Sequence, residues 1–284
     1  MILFPNAKIN LGLRVLRRRP DGYHDLETVM VPVGWTDVLE MVPSEKGGSF
    51  TLTGSSLGGC PPEKNLVIKA LRALETHIGE ALPPLDIYLR KNIPDGAGLG
   101  GGSADASFAI RGANEIFGLG MTDAEMASVA AKVGADCPFF IYNRPMLARG
   151  IGEILTPIDI PGAEAFHIAI AKPETEAVST KDAYAGISPA ELPEGTSLAE
   201  ALRAPAPGWR ERGIVVNDFE PSVFAIRPAI EDTLRRMQDC GAAYAAMSGS
   251  GAAVFGLFTS AKMAEEAAAR FDGCRTWHGP LGVS

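Results

Sequence analysis

"IPDGAGLGGGSADASFAI", residues 93–110, holds five glycines within the seven positions from Gly96 to Gly102. An alternating stretch, "LDIYLRKNIP", runs into it with Leu85, Ile87 and Leu89 on one face, the pattern of a half-buried strand. Beyond it, "SADASFAIRGANEIF" sets Ala106, Ile110, Ala113 and Phe117 on one helical face, and Gly118 ends the run. The segment therefore reads as strand, glycine loop, helix. Each glycine in regular structure costs roughly 0.5–1 kcal/mol relative to alanine, so a cluster needs a cause. A phosphate cradle, a flexible linker and a tight turn without ligand are the three candidates. Linkers are rarely bracketed by an amphipathic strand and helix. A helix N-terminus behind a strand, by contrast, offers free N–H groups and the positive end of the helix dipole, and absent side chains permit close approach.

The anion is not settled by spacing. Gly96-Ala97-Gly98-Leu99-Gly100-Gly101 satisfies GxGxxG, yet the stretch lies far from the N-terminus and lacks a following short βαβ unit with an acidic strand end. A Walker A loop is excluded because no lysine precedes Ser103. The cation such a loop needs must come from elsewhere, and Lys8 is the natural candidate. In "AKINLGLRVL" the residues Ile9, Leu11, Leu13 and Val15 share one strand face, and Lys8 and Asn10 share the other with Gly12 and Arg14.

Totals narrow the classes. The chain has 284 residues with 46% hydrophobic and 21% charged, ordinary for a globular protein of one large or two moderate domains. A net charge of −8 predicts no general attraction to nucleic acid or anionic membrane, so any anion site is local. No apolar run reaches the roughly 18 residues that span a bilayer. The first twenty residues do not read as a signal peptide, because Lys8 interrupts a short apolar stretch and the basic run follows it. Cys60, Cys137, Cys240 and Cys274 form no CxxC pair, which fits reduced thiols in the cytoplasm. The four histidines, His24, His77, His167 and His278, have no metal-ligand spacing.

Local signals give the rest of the plan. "TVMVPVGW", "DVLEMV" and "SFTLTG" read as further strands of a β-rich N-terminal part. Asn65 caps a helix that stops at Gly79, and Thr122 with Glu125 forms a capping box for another. "ADCPFFIY" opens a new element, and the segments around 150–163 read as a passage between lobes. "AFHIAIAKP" is a buried strand. Residues 186–212 are Pro-rich, with loops and a short helix. "PAIEDTLRRMQDCG" is a helix, "AAYAAMSGSGAAVFGLF" a strand–turn–strand, "SAKMAEEAAARF" a helix capped near Ser260, and "TWHGP" a last strand. Strands and helices mix without a βαβ series, so the class is α+β in two lobes, 1–155 and 156–284.

"PDGAGLGGGSADAS" resembles the phosphate loop of the GHMP kinases, and "MSGSGAAVFGLF" resembles their C-terminal glycine turn. "PNAKINLGLRV", "RPDGYHDLETVM", "GADCPFF", "ARGIGE" and "NDFEPSV" are similar to the 4-diphosphocytidyl-2-C-methylerythritol kinases of the non-mevalonate isoprenoid route. These stretches cover most of the chain from residue 5 to about 258; the Pro-rich segment and the extreme C-terminus carry little of the pattern. The resemblance implies a ribosomal-protein-S5-like N-terminal lobe that binds ATP, a ferredoxin-like C-terminal lobe, and an active site between them. It implies transfer of the ATP γ-phosphoryl to the 2-hydroxyl of the methylerythritol unit, with Mg²⁺ arriving on ATP. The alternative within the same superfamily is a mevalonate- or homoserine-type kinase.

Roles follow from the same resemblance. Asp136 in "GADCPFF" matches the catalytic base, and Lys8 the catalytic cation. Such chemistry is mostly positioning and charge stabilisation. Pro94, Asp95, Gly96, Ala97, Gly98, Leu99, Gly100, Gly101, Gly102, Ser103 and Ala104 map onto the ATP-phosphate loop. Ser103 offers a hydroxyl to phosphate or magnesium, or caps the helix. Asp105 suits the helix dipole and is structural. Tyr23 and His24 fall in the substrate motif, where an aromatic ring stacks on a base and an imidazole stacks or hydrogen-bonds. Asn10, Thr180 and Tyr184 complete the substrate pocket, Tyr184 as a second aromatic wall. Among Arg17, Arg18 and Arg19, one at most is expected to attract the substrate diphosphate. No dedicated metal cage stands out. The expected partner is a small molecule, the cytidine-diphosphate-linked methylerythritol, with no nucleic acid or membrane partner, bound by a monomer or weak homodimer.

Overall fold

A computed structural model describes residues 1–45, 49–55, 61–187, 197–203, 209 and 213–283. The chain opens with β1 (Ile2–Leu3), β2 (Asn6–Arg18) and β3 (His24–Thr36), the last two joined through the Pro20-Asp21-Gly22 turn. Strands β4 (Val38–Pro43) and β5 (Phe50–Ser55) follow. Helix α1 (Leu66–Ile78) starts where the Asn65 side chain accepts from the Val67 N–H and stops at Gly79 in the left-handed region. Strand β6 (Leu85–Arg90) alternates buried and exposed residues without exception, as its sequence pattern predicts.

Helix α2 (Gly101–Ile116) takes up the chain after the glycine loop. Helix α3 (Asp123–Ala131) carries the Thr122–Glu125 capping box, both halves formed, and α4 (Cys137–Tyr142) follows at once. Then come β7 (Met146–Gly150) and β8 (Ile154–Pro157), an antiparallel hairpin. The passage expected around 150–163 is thus in part sheet. Gly150, at φ +71, ends β7 and lets the chain turn back, and Pro157 closes an edge strand, where a missing N–H is tolerated.

The C-terminal part holds β9 (His167–Pro173), the short helices α5 (Thr180–Ala185), α6 (Leu198–Ala201) and α7 (Glu220–Ile226), and α8 (Pro228–Asp239). It ends with β10 (Tyr244–Met247), β11 (Val254–Phe258), α9 (Ala261–Ala268) and β12 (Cys274–Pro280). The last strand begins earlier than "TWHGP" suggested. Part of the Pro-rich 186–212 segment lies outside the described residues; α6 is the short helix expected there.

Contacts group into two units. One comprises Met1–Ala7, Trp35–Ile93 and Gly100–Asn143, the other Lys8–Gly34, Pro94–Leu99 and Arg144–Ser284. In the first, a sheet in the order β1-β4-β6-β5 pairs β5 parallel and the rest antiparallel, and α1 packs on α2. The second holds the sheet β2-β3-β7-β8 and an antiparallel sheet β10-β11-β9-β12. Read along the chain, β9-α8-β10-β11-α9-β12 is a ferredoxin-like βαββαβ order. Ala169, Ala171, Met247, Val254 and Phe258 of that sheet bury against Ile230, Leu234 and Met237 of α8 and Ala264, Ala267 and Ala268 of α9.

Candidate active site

The glycine loop is fastened rather than loose. In the second unit the Ala253 N–H donates to the Ala97 carbonyl at 3.0 Å, the Ala252 N–H to that of Gly96 at 3.3 Å, and the Ser248 hydroxyl to that of Gly98 at 2.9 Å. The Lys8 N–H donates to the Leu99 carbonyl at 2.9 Å. Ala97 and Leu99 are buried, while Asp95 and Gly96 face solvent. Gly98 has φ +72, and a Cβ there would stand 2.0 Å from the Ser248 carbonyl oxygen, so the docking admits glycine alone. The strand–turn–strand of β10 and β11 thus serves the loop: its turn, Ser248 to Gly251, is what the loop rests on.

In the first unit, Gly100 is the N-cap of α2, in the left-handed conformation at φ 72, and no side chain caps the helix. Gly101, Gly102 and Ser103 are the first three helical residues. Ser103 is therefore not the cap; Gly100 holds that place because a left-handed N-cap suits glycine. A helix start without a capping side chain leaves its donors for an anion.

Asp105, next on α2, does more than face the dipole. It is buried, and its Oδ2 accepts from Lys91 Nζ at 2.7 Å. Lys91 also donates to Asp37, whose other oxygen accepts the N–H groups of Asn92 and Ile93, the latter at 2.8 Å. Burial and the neighbouring Asp37 carboxylate raise Asp105 to about 7, against the pull of Lys91. The cluster ties the end of β6 to the start of α2.

Lys8 and Asn10 are buried, 3% and 2% exposed, so the second face of β2 is interior and not a solvated one. Their polarity is matched along one chain of hydrogen bonds. Lys8 Nζ donates to Asn10 Oδ1 at 2.5 Å, Asn10 Nδ2 to Thr28 Oγ1 at 2.9 Å, and the Thr28 hydroxyl to the Gly12 carbonyl at 2.6 Å. Each link fixes the direction of the next, and the asparagine amide has one orientation. Thr28 lies in the "DLETVM" stretch but draws no attention there, because a strand threonine has no spacing signature. Asp136 is the N-cap residue of α4, half-buried, with helical dihedrals and a side chain that does not cap the helix. The Ser107 hydroxyl holds the following Cys137 carbonyl at 2.7 Å, and burial pushes the Cys137 thiol up to about 11.

Of the expected substrate residues, His24 and Tyr184 come together as a stacked pair with ring centroids 4.7 Å apart and 15° between planes. Tyr184 in turn meets Phe219 edge-on at 4.8 Å. Tyr23 is 61% exposed on the β2–β3 turn, and Thr180 is the exposed first residue of α5. Arg17 pairs with Asp25, and Arg19 with Asp21 and Asp25, which lowers the Asp25 carboxyl and raises the Arg19 guanidinium from their ordinary values.

Comparison with known proteins bears directly on this arrangement. The family model described as the GHMP kinases N terminal domain matches residues 65–144, and that described as GHMP kinases C terminal matches residues 198–274. The chain is similar to the 4-diphosphocytidyl-2-C-methyl-D-erythritol kinase of Parabacteroides distasonis, 49% identical over 99% of this chain and 100% of the relative. Its counterpart from Porphyromonas gingivalis is 44% identical over 94% of this chain and 96% of its own length. Among solved structures, a 4-(cytidine 5'-diphospho)-2C-methyl-D-erythritol kinase superposes with a TM-score of 0.80, 32% identity and 100% coverage of both chains. A homoserine kinase from Cytophaga hutchinsonii shares the fold, with a TM-score of 0.71 at 21% identity over 97% of this chain and 94% of its own. This chain belongs to the GHMP kinases and, within them, to the family of 4-diphosphocytidyl-2-C-methyl-D-erythritol kinases.

Proposed function

We propose that the protein transfers the γ-phosphoryl of ATP to the 2-hydroxyl of 4-diphosphocytidyl-2-C-methyl-D-erythritol, as a step in making isoprenoid precursors. The observation that carries this is 49% identity across 99% of the chain to a relative of that name. The fastened glycine loop leading to a helix start without a side-chain cap supports it. Residues Pro94 to Ala104 would cradle the ATP phosphates through backbone N–H groups, and the Ser103 hydroxyl would add a donor. Among the described residues no three His, Cys, Asp or Glu side chains stand together to hold a metal ion. Mg²⁺ would come with ATP, held through phosphate oxygens and water, and would offset phosphate charge.

Asp136 takes the proton of the acceptor hydroxyl in this reading, and Lys8 offsets charge on the transferring group. The Asn10–Thr28 chain supports the second role, because it holds the ammonium in one place. His24 and Tyr184, with Tyr23 and Thr180, would receive the cytidine end, and Asn10, beside Lys8, would hydrogen-bond the substrate. Rings 4.7 Å apart leave no room for a base between them, so the cytosine takes an outer face of the pair. We assign the N-terminal, ATP-binding lobe to residues 1–155 and the C-terminal lobe to 156–284, a division that the two family matches support. Scattered cysteines without a CxxC pair support a cytoplasmic place.

ADP release measured on 4-diphosphocytidyl-methylerythritol beside mevalonate and homoserine tests the reading. Turnover is expected with the cytidine substrate alone. Transfer to mevalonate or homoserine instead would replace the acceptor. Asp136→Asn is expected to bind ATP as the parent does and to lose turnover by about a hundredfold or more; unchanged turnover removes Asp136 from the base role.

A further inference from the structure

The "NDFEPSV" stretch has motif character but no place in the chemistry above. Its structure gives it one. Asn217 is 2% exposed. Its Nδ2 donates to two carbonyls at once, Met247 and Gly249, each at 2.8 Å, and its Oδ1 accepts the Phe219 N–H at 3.0 Å. Glu220 Oε1 accepts the Met247 N–H at 3.0 Å. Asp218 accepts the Val15 N–H at 2.8 Å and pairs with Arg14, both on β2. The stretch therefore grips the glycine turn at Met247 and Gly249 and is itself anchored to the strand that carries Lys8 and Asn10.

The gripped turn is the one the phosphate loop rests on. Ser248 lies between the two carbonyls that Asn217 holds, and it donates to Gly98. The Gly98 backbone lies so close to the Ser248 carbonyl that any Cβ would overlap it, and a Cβ on Gly249 would come within 3.2 Å of the Gly98 carbonyl. A turn packed this tightly passes a displacement on to the loop instead of absorbing it.

We propose that Asn217 is a positioning residue for the nucleotide: its carboxamide sets the Met247–Gly249 turn, and the turn sets the register of the Gly96–Leu99 backbone. The role requires a donor. Two carbonyls facing one nitrogen are satisfied by an amide and opposed by a carboxylate. It rests on the reading of Pro94 to Ala104 as the phosphate-binding loop.

The test uses the full-length enzyme and the variant Asn217→Asp. Aspartate keeps the shape and the acceptor for the Phe219 N–H, and replaces only the twofold donor. The KM for ATP and the dissociation constant of a non-hydrolysable ATP analogue should each rise by about tenfold or more, while the KM for the cytidine substrate stays within about twofold. A residue that merely stabilises the fold would lower the melting temperature and leave that split absent. Where Asn217→Asp does not fold, Asn217→Ala serves, since it removes the donors without adding a charge; it also removes the acceptor of the Phe219 N–H, so the readout is the analogue's dissociation constant, expected to rise by a smaller factor. Gly100→Val separates this inference from the reading beneath it. If Gly100→Val abolishes analogue binding and the Asn217 variants bind as the parent does, the positioning role is wrong and the loop assignment stands. If a folded Gly100→Val binds normally, the loop assignment itself fails and takes the positioning role with it.

Discussion

At the scale of single residues, the polar side chains Asn6, Lys8, Asn10 and Arg14 of β2 are interior groups with assigned partners. Lys8 shows how much that matters. Burial takes its ammonium out of water, and the hydrogen bond to Asn10 Oδ1 at 2.5 Å replaces one to solvent. Thr28 is the hinge of this arrangement, since its hydroxyl accepts from Asn10 and donates to Gly12. Thr28→Val keeps the shape and removes both functions. Asn10 then loses the acceptor that fixes its amide, and the Lys8 ammonium loses its fixed seat. The expected outcome is a fall of about tenfold or more in kcat, with Thr28→Ser close to the parent. Steady-state rates for both variants decide it; a Thr28→Val enzyme with parental kcat would show that the chain of bonds does not serve Lys8. The alternation of "AKINLGLRVL" identifies the strand but not the burial of its polar face. Arg14 meets Asp218, and Asn10 meets Thr28, partners that lie 204 and 18 residues away and leave no periodic trace.

Elements with local signals were legible, and those held by distant ones were not. Helix α1 has its Asn65 cap and Gly79 stop, α3 its capping box and β6 its strict alternation, because each signal lies within a few residues of what it controls. The brace between β6 and α2 has no such signal. Lys91 follows β6 directly and Asp105 sits on α2, and only the fold brings Asp37 to both. Two carboxylates sharing one lysine in a buried place carry an unbalanced negative charge when both ionise. Asp105 accordingly holds its proton up to about 7. The sign of the consequence follows from linkage. A carboxyl raised above its ordinary value stabilises the fold fully below that ordinary value, and the contribution is lost as pH rises through the folded value. Asp105→Asn imitates the protonated form at every pH. Denaturant unfolding from about pH 5 to about pH 8 should therefore show the parent losing stability relative to Asp105→Asn, by on the order of 1 kcal/mol or more. A constant difference across that range would mean that Asp105 is ionised throughout.

For the whole molecule, the informative quantity is a charge of −8 on a protein that handles polyanions. A nucleic-acid binder of this size would present a basic field; here the mean field repels phosphate, and binding depends on N–H groups aimed at one place. The plan of two families of contacts, one with α1 to α4 and one with a ferredoxin-like sheet, was legible as α+β from the mixture of periods. The connectivity was not, because residues 8–34 and 94–99 group with the C-terminal half of the chain through contacts that no local pattern announces. A local anion site in an acidic protein has a thermodynamic signature. A non-hydrolysable ATP analogue with Mg²⁺, at a hundred times its dissociation constant, should add about 2.7 kcal/mol to the apparent stability. For a chain of this length that raises the melting temperature by roughly 5 °C. A single-stranded RNA of equal phosphate concentration should leave the temperature unchanged even at low salt, where non-specific attraction to phosphate is greatest. Differential scanning fluorimetry reads both. A rise with RNA that disappears as salt is added would point to a diffuse basic surface, contrary to the acidic balance. A rise with the analogue alone is what a short, fastened loop and a glycine-capped helix start in an otherwise repelling protein require.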